Sequence, residues 1–277
     1  MSGSASKSPF VPARAFSLVE LLVAIAVIAV LVALPIPTLG AARRRADTTV
    51  CLTTLRSISQ QQHAWATAKG DVWPNVVENR DPPSRFYDVT LGTTSYSIRP
   101  LHQVNFWMAA MVPDLWSEES GYEPWSCRRR LTRYTGNSIG AGFAQNPLDT
   151  GIVSYYQPAA MFTDPLLWRA DGQERRQDAS KWVRRVPLHE FTFPSQKVSM
   201  SELFAMHGNQ QPASGMPDAL NAAFVDGHAR VVRPADAARA LTFEGQPAGF
   251  PEYELDFGTV PLAFNSVDDG ARGIDFR

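Results

Sequence analysis

Hydrophobic and polar positions follow three successive patterns along the chain. Between residues 16 and 34, only Ser17 and Glu20 are polar among 19 residues. At 1.5 Å per residue that run covers roughly 28 Å, about the hydrocarbon thickness of a bilayer. A soluble core helix of this length would show a polar face, and none is visible between residues 21 and 34. The pattern predicts a membrane-spanning helix over residues 16–37. It then changes but keeps a helical period. Cys51, Leu55, Ile58, Gln62 and Trp65 recur at spacings of three and four, with Leu52 and Ser59 flanking the same stripe. That spacing predicts an amphipathic continuation over residues 38–70, with one face ready to pack on a domain. Gly70 and Pro74 supply stop signals. Residues 16–69 would then form one helix of roughly 80 Å, kinked at Pro35 and Pro37.

Beyond Asp71 long helical periodicity disappears, and Pro and Gly become frequent. Residues 71–277 read as a globular, β-rich domain. Strands are expected at 152–156, 197–201, 222–225 and 228–232. Asp226 and Gly227 join the last two, a dipeptide favoured in two-residue type I′ hairpins. The stretch 81–151 is loop-rich and yields no assignment.

Composition narrows the function. The chain has 26 basic and 27 acidic residues, so no sequence-wide attraction to nucleic acid is expected. Cys51 and Cys127 are too few for a disulfide framework or a four-ligand zinc site. They could form one bridge in an oxidising compartment, or remain two partly buried thiols. Residues 1–15 hold Lys7, Arg14 and no acid, which reads as a short basic leader. A cleaved secretory peptide would have a shorter apolar core followed by small residues, not by Pro35-Ile36-Pro37. A plain signal anchor accounts for the length but gives no reason for Glu20. An ionised acid in a membrane costs several kcal/mol, which makes Glu20 a functional candidate.

The run Arg14-Ala15-Phe16-Ser17-Leu18-Val19-Glu20-Leu21-Leu22 resembles the processing motif of type IV prepilins and type II secretion pseudopilins. In that family a basic leader ends in a small residue, cleavage precedes an aromatic, and Glu is the fifth mature residue. Glu20 is fifth counting from Phe16, and Pro37 stands where pilin-like helices often carry a proline. One departure is Ala15, where the family usually has Gly; Ala is the next smallest side chain, so cleavage is still expected, at a reduced rate. A second resemblance is to a pseudopilin-like group abundant in planctomycete-type bacteria. Residues 51–58 look like the start of its soluble domain, and Pro194-Ser195-Gln196-Lys197-Val198 with Glu202 like the strand before its terminal hairpin. Ala223-Phe224-Val225-Asp226-Gly227-His228 looks like that hairpin. The group's His ten residues before the turn is replaced by Met216, and His207 is the nearest earlier histidine.

The resemblance implies an α+β, pilin-like fold: a long N-terminal helix, membrane-spanning in its first half, packed on an antiparallel β-sheet. It implies a structural subunit of a pseudopilus or pilus-like assembly, linked to secretion and not an enzyme. Its partners would be a prepilin peptidase, other pseudopilin subunits and the membrane. Arg14, Ala15 and Phe16 would form the processing site, with the new amine methylated. Glu20 would neutralise that amine on a neighbouring subunit. Charge alone leaves topology open, because Lys7 and Arg14 argue for a cytoplasmic leader while Arg43, Arg44 and Arg45 argue the opposite. The resemblance decides for a single-pass inner-membrane protein with its leader cytoplasmic and its domain outside.

Other candidate chemistry is sparse. Asp226, His228 and Asp218 could suggest a metal, but turn geometry explains Asp-Gly, and no metal site is expected. Asp256, Asp268, Asp269 and Gly270 could offer oxygen ligands to calcium, yet their spacing matches no calcium loop. Arg128, Arg129, Arg130 and Arg133 read as solvated surface. No cofactor motif is present, neither a phosphate loop nor a nucleophile elbow. Two other classes remain. One is a monomeric membrane-anchored binding module gripping polysaccharide or protein through Trp107, Trp116 and Trp168. The other is an anchored hydrolase, for which no catalytic constellation stands out.

Overall fold

A computed structural model describes residues 17–75, 87–91, 94–98, 107–111, 155–169, 171, 179–202, 219–237, 252–255, 258–261 and 270–276. The chain divides into two compact units, Met1–Arg45 and Ala46–Arg277. In the first, helix α1 covers Leu18–Ala33 and α2, which covers Pro35–Ala68, begins. Leu34 between them keeps helical dihedrals, and its N–H donates to the Val30 carbonyl at 3.3 Å. The break arises because Pro35 and Pro37 bring no N–H to the ladder. The two stretches together make the one long N-terminal helix that the pattern predicts, Leu18–Ala68, with its hydrogen-bond ladder interrupted at the prolines.

The second unit is α+β, with the rest of α2 lying against a four-stranded antiparallel sheet. Cys51, Leu55, Ile58, Ser59, Gln62 and Ala66 are buried along one face of the helix. The stripe runs on to Ala66, four residues past Gln62, which leaves Trp65 half-buried at its edge rather than central. Gly70, at φ +84°, ends the helix, and Asp71 N–H donates back to the Ala66 carbonyl at 2.9 Å. That six-residue closure is the Schellman stop for which Gly is favoured.

Strand order in the sheet is β3 (Tyr155–Tyr156), β4 (Val198–Glu202), β5 (Leu220–Phe224) and β6 (Ala229–Val232). Each lies within two residues of a stretch read from the sequence. Two further antiparallel hairpins were not expected: β1 (Tyr87–Leu91) with β2 (Thr94–Ile98), and β7 (Glu252–Leu255) with β8 (Gly258–Pro261). A short helix, α3, covers Trp107–Met111.

Both faces of the central sheet are covered. Met200, Ala223 and Val225 join the helix stripe in the larger core, while Val198, Leu220, Ala222, Phe224 and Val232 pack with Phe276 on the other side. Val198 and Met200 would share a face in a regular strand. A register shift between them turns Val198 toward Phe276 and leaves Met200 toward α2. Ser59 Oγ donates to the Phe224 carbonyl at 3.0 Å, and the Tyr155 hydroxyl to the Cys51 carbonyl at 3.4 Å, fixing α2 to the sheet.

The segment 270–276 closes the second face. Lys197 and Asp275 are both fully buried, with Nζ 3.1 Å from Oδ1. Asp275 Oδ2 accepts the Val198 N–H at 2.6 Å. Burial pushes the Asp275 carboxyl up, against the pull of Lys197 and of that N–H. Nearby, Arg184 pairs with Asp164 at 2.9 Å and with Glu190 at 2.7 Å, and Arg272 reaches Glu190 at 3.2 Å.

Candidate functional site

The first helix offers its site at its start. Ser17 is the N-cap, with extended dihedrals, and its hydroxyl accepts the Glu20 N–H at 3.1 Å. Glu20 returns the bond, since its Oε2 accepts the Ser17 N–H at 2.9 Å. This reciprocal capping box satisfies two N–H groups that a helix end otherwise leaves bare. It also holds the carboxylate over the helix N-terminus, where the helix dipole favours negative charge. From there no residue of α1 is buried, although nearly all are apolar. The exposed side chains include Leu18, Leu21, Leu22, Ile25, Ile28 and Leu31. One helix among the described residues is long and apolar enough to cross a membrane, and it contains α1.

Residues 12–34 match the family model of the prokaryotic N-terminal methylation motif. The match takes in residues 12–17 and the whole of α1. This motif is that of type IV pilin- and pseudopilin-like subunits. It implies processing by a prepilin peptidase, a membrane-anchored chain and assembly with like subunits, a structural role that is typically not enzymatic. No curated protein and no solved structure matches the chain.

Arg14, Ala15 and Phe16, expected to form a processing site, lie outside the described residues; Glu20, expected to serve assembly, stands in the first turn of α1. Ser17 heads a Ser-x-x-Glu run before an apolar stretch, the capping-box signature. Its role is positional: it aims Glu20.

The hairpin turn differs from expectation in type. Gly227 has φ +87°, but Asp226 does not have positive φ, which a type I′ turn requires at both central residues. Gly227 N–H donates to the Phe224 carbonyl, and Phe224 N–H to the His228 carbonyl, both at 2.9 Å. Val225, Asp226 and Gly227 thus make a three-residue loop, a type I turn closed by a left-handed glycine. Asp226 Oδ1 accepts the His228 backbone N–H at 3.2 Å and lies 2.6 Å from His228 Nδ1. The His228 ring stacks on Phe224, with ring centroids 4.2 Å apart.

Across a cleft from this loop stands α2. Arg56, Gln60 and His63 of the helix, with Asp226, Gly227 and His228 of the hairpin, line about 340 Å³. His63 Nε2 donates to the Val225 carbonyl, and the ring meets Trp73 edge-on. Burial holds the His63 imidazole below its usual range, with Asp226 opposing. Asp218 lies outside the described residues, and among those described no group of three or more His, Cys, Asp or Glu is arranged to hold a metal.

Two of the three tryptophans considered as surface grips are core residues. Trp107 and Trp168 are 3% and 5% exposed. Their indole N–H groups donate inward, to the Tyr155 carbonyl at 3.2 Å and to Thr163 Oγ1 at 2.7 Å. A buried Trp with a satisfied N–H stabilises the fold and offers nothing to a ligand; Trp116 lies outside the described residues. Cys51 is buried on the α2 stripe, and its proposed partner Cys127 lies outside the described residues. So do Asp256, Asp268 and Asp269. Gly270 is buried with φ +51°, and a Cβ there would meet Trp168 Cδ1 at 2.9 Å and Pro165 Cα at 3.0 Å. A close approach of backbone to indole accounts for that glycine.

Proposed function

We propose that the chain is a pilin-like structural subunit of a pseudopilus or type IV pilus-like assembly, linked to protein secretion. The observation that carries this reading is the methylation motif on an exposed apolar helix whose cap presents Glu20. Prepilin peptidase cuts between Ala15 and Phe16, and the new amine is methylated. Residues 16–37 anchor the subunit in the inner membrane, with the leader cytoplasmic and residues 71–277 outside. In the assembly, Glu20 neutralises the Phe16 amine of a neighbour, since a charge removed from water is tolerated chiefly when paired. The capping box permits this. Ser17 occupies only Oε2, and a carboxylate accepts several donors on its two oxygens. Against a monomeric binding module stands the burial of Trp107 and Trp168.

Intact mass and N-terminal sequencing of protein extracted from membranes test this reading. The expected mature start is Phe16, carrying one added methyl group. Ala15→Leu is expected to block processing, and Ala15→Gly to preserve or speed it. A mature start beyond Pro37 would make the apolar run an ordinary secretory peptide and end the proposal.

A further inference from the structure

Exposed apolar side chains run from Leu18 to Leu39, about 33 Å of helix against a hydrocarbon layer of about 30 Å. Gly40, Ala41 and Ala42 follow, and then three exposed arginines, Arg43, Arg44 and Arg45. Consecutive helical residues are turned by about 100°, so three of them spread their guanidiniums over about 200° of the circumference. A face built to pack on one partner spaces its residues three and four apart, as the buried stripe of α2 does. The arginine spread instead suits surroundings that enclose the helix. Its height fits as well: the three lie about 6–9 Å beyond Leu39, the depth of the headgroup layer. The first carboxylate after Glu20 is Asp47, so residues 21–46 carry positive charge alone.

From this geometry we infer that Arg43, Arg44 and Arg45 form a collar that binds anionic phospholipid headgroups in the leaflet facing the folded domain. The inference rests on the membrane anchoring proposed above. Each guanidinium can grip two phosphate oxygens, while its aliphatic stem lies along the apolar end of the span. The collar sets the depth of the anchor. It also gives positive charge on the far side of the span a task other than orienting the chain.

The test uses the full chain in nanodiscs of phosphatidylcholine and phosphatidylglycerol in equal parts. Lipid retained on the protein after detergent extraction is measured by mass spectrometry. Wild type is expected to enrich phosphatidylglycerol, and each arginine removed is expected to reduce the enrichment by about fivefold, the equivalent of ~1 kcal/mol per basic residue at an anionic surface. Replacing all three by Gln should return the retained lipid to the bulk ratio, whereas Arg56→Gln, at an exposed arginine farther along α2, should change nothing. Equal retention of both lipids by wild type, an unchanged ratio in the triple variant, or an equal loss in Arg56→Gln overturns the collar. So does displacement of phosphatidylglycerol by inorganic phosphate, which would mark a free-anion site. Carbonate extraction of wild-type membranes separates the two failures. A chain that washes off sinks the anchor itself, and one that stays without enrichment sinks the collar alone.

Discussion

Gly227 and Gly270 both hold positive φ, yet different forces require glycine at each. At Gly227 the position a Cβ would take is 4.0 Å from Gln60 Cγ, an ordinary contact, so only the backbone resists substitution. Gly227→Ala is expected to cost about 1–2 kcal/mol, and the β-branched Gly227→Val about 1–3 kcal/mol. At Gly270 the same strain is joined by a clash with Trp168 and Pro165, so Gly270→Ala should cost more, about 3–5 kcal/mol. Thermal unfolding of the three variants checks the ranking, and equal losses would contradict the clash. His63 carries a pH dependence. Burial lowers its folded pKa below the ordinary imidazole range and Asp226 only partly opposes this, so the unfolded chain binds the proton more readily. The stabilising contribution is therefore complete above the unfolded pKa and is lost as pH falls through the folded one. Denaturant midpoints should drop as pH falls through and below the ordinary imidazole range, and His63→Gln should flatten that drop. An unchanged slope would assign it to other groups.

At the scale of elements, the buried pair Lys197–Asp275 ties the last turn of chain to the start of β4. Removing one partner of a buried pair typically costs about 3–5 kcal/mol, because the other charge is left without compensation. Asp275→Asn strands a Lys ammonium and should reach that range. Lys197→Met should cost less, because burial already pushes the Asp275 carboxyl toward its neutral form. The double variant Lys197→Met with Asp275→Asn is expected to be more stable than Asp275→Asn alone, and a strictly additive loss in this double-mutant cycle would deny the coupling. Lys197 and Asp275 are 78 positions apart, and neither residue's neighbours announce the contact. The helix stripe and the strands near 198–202, 220–224 and 229–232 were legible because local period and turn residues mark them. The bulge that splits Val198 from Met200, the inward-facing tryptophans and the three-residue form of the 225–227 loop were not. Each depends on what packs from another part of the chain. The cap on α1 was written in Ser17 and Glu20, and could have been read from their spacing alone.

At the scale of the whole molecule, the two units meet water differently. Met1–Arg45 includes a helix with no buried residue, whereas Ala46–Arg277 has its own core. A chain beginning at Ala46 is expected to be soluble and to unfold in one cooperative transition by circular dichroism; aggregation would mean that the core needs the anchor. Glu20 belongs to the other unit, and its loss should leave folding and processing untouched. Glu20→Gln keeps shape and hydrogen-bonding capacity, so the amide oxygen can still cap the Ser17 N–H. Membrane insertion should be as good or better, because a neutral side chain enters hydrocarbon more readily than a charged one. What disappears is the partner for a neighbour's amine, at a cost of about 3–5 kcal/mol where that charge is buried. Every subunit in a filament would make the contact once, so the loss repeats along the assembly. The expected result is normal expression and a normal Phe16 start, with few crosslinked oligomers when single cysteines are placed along α1 in living cells. Equal crosslinking in wild type and Glu20→Gln would leave the carboxylate with its local role alone, as the cap of its own helix.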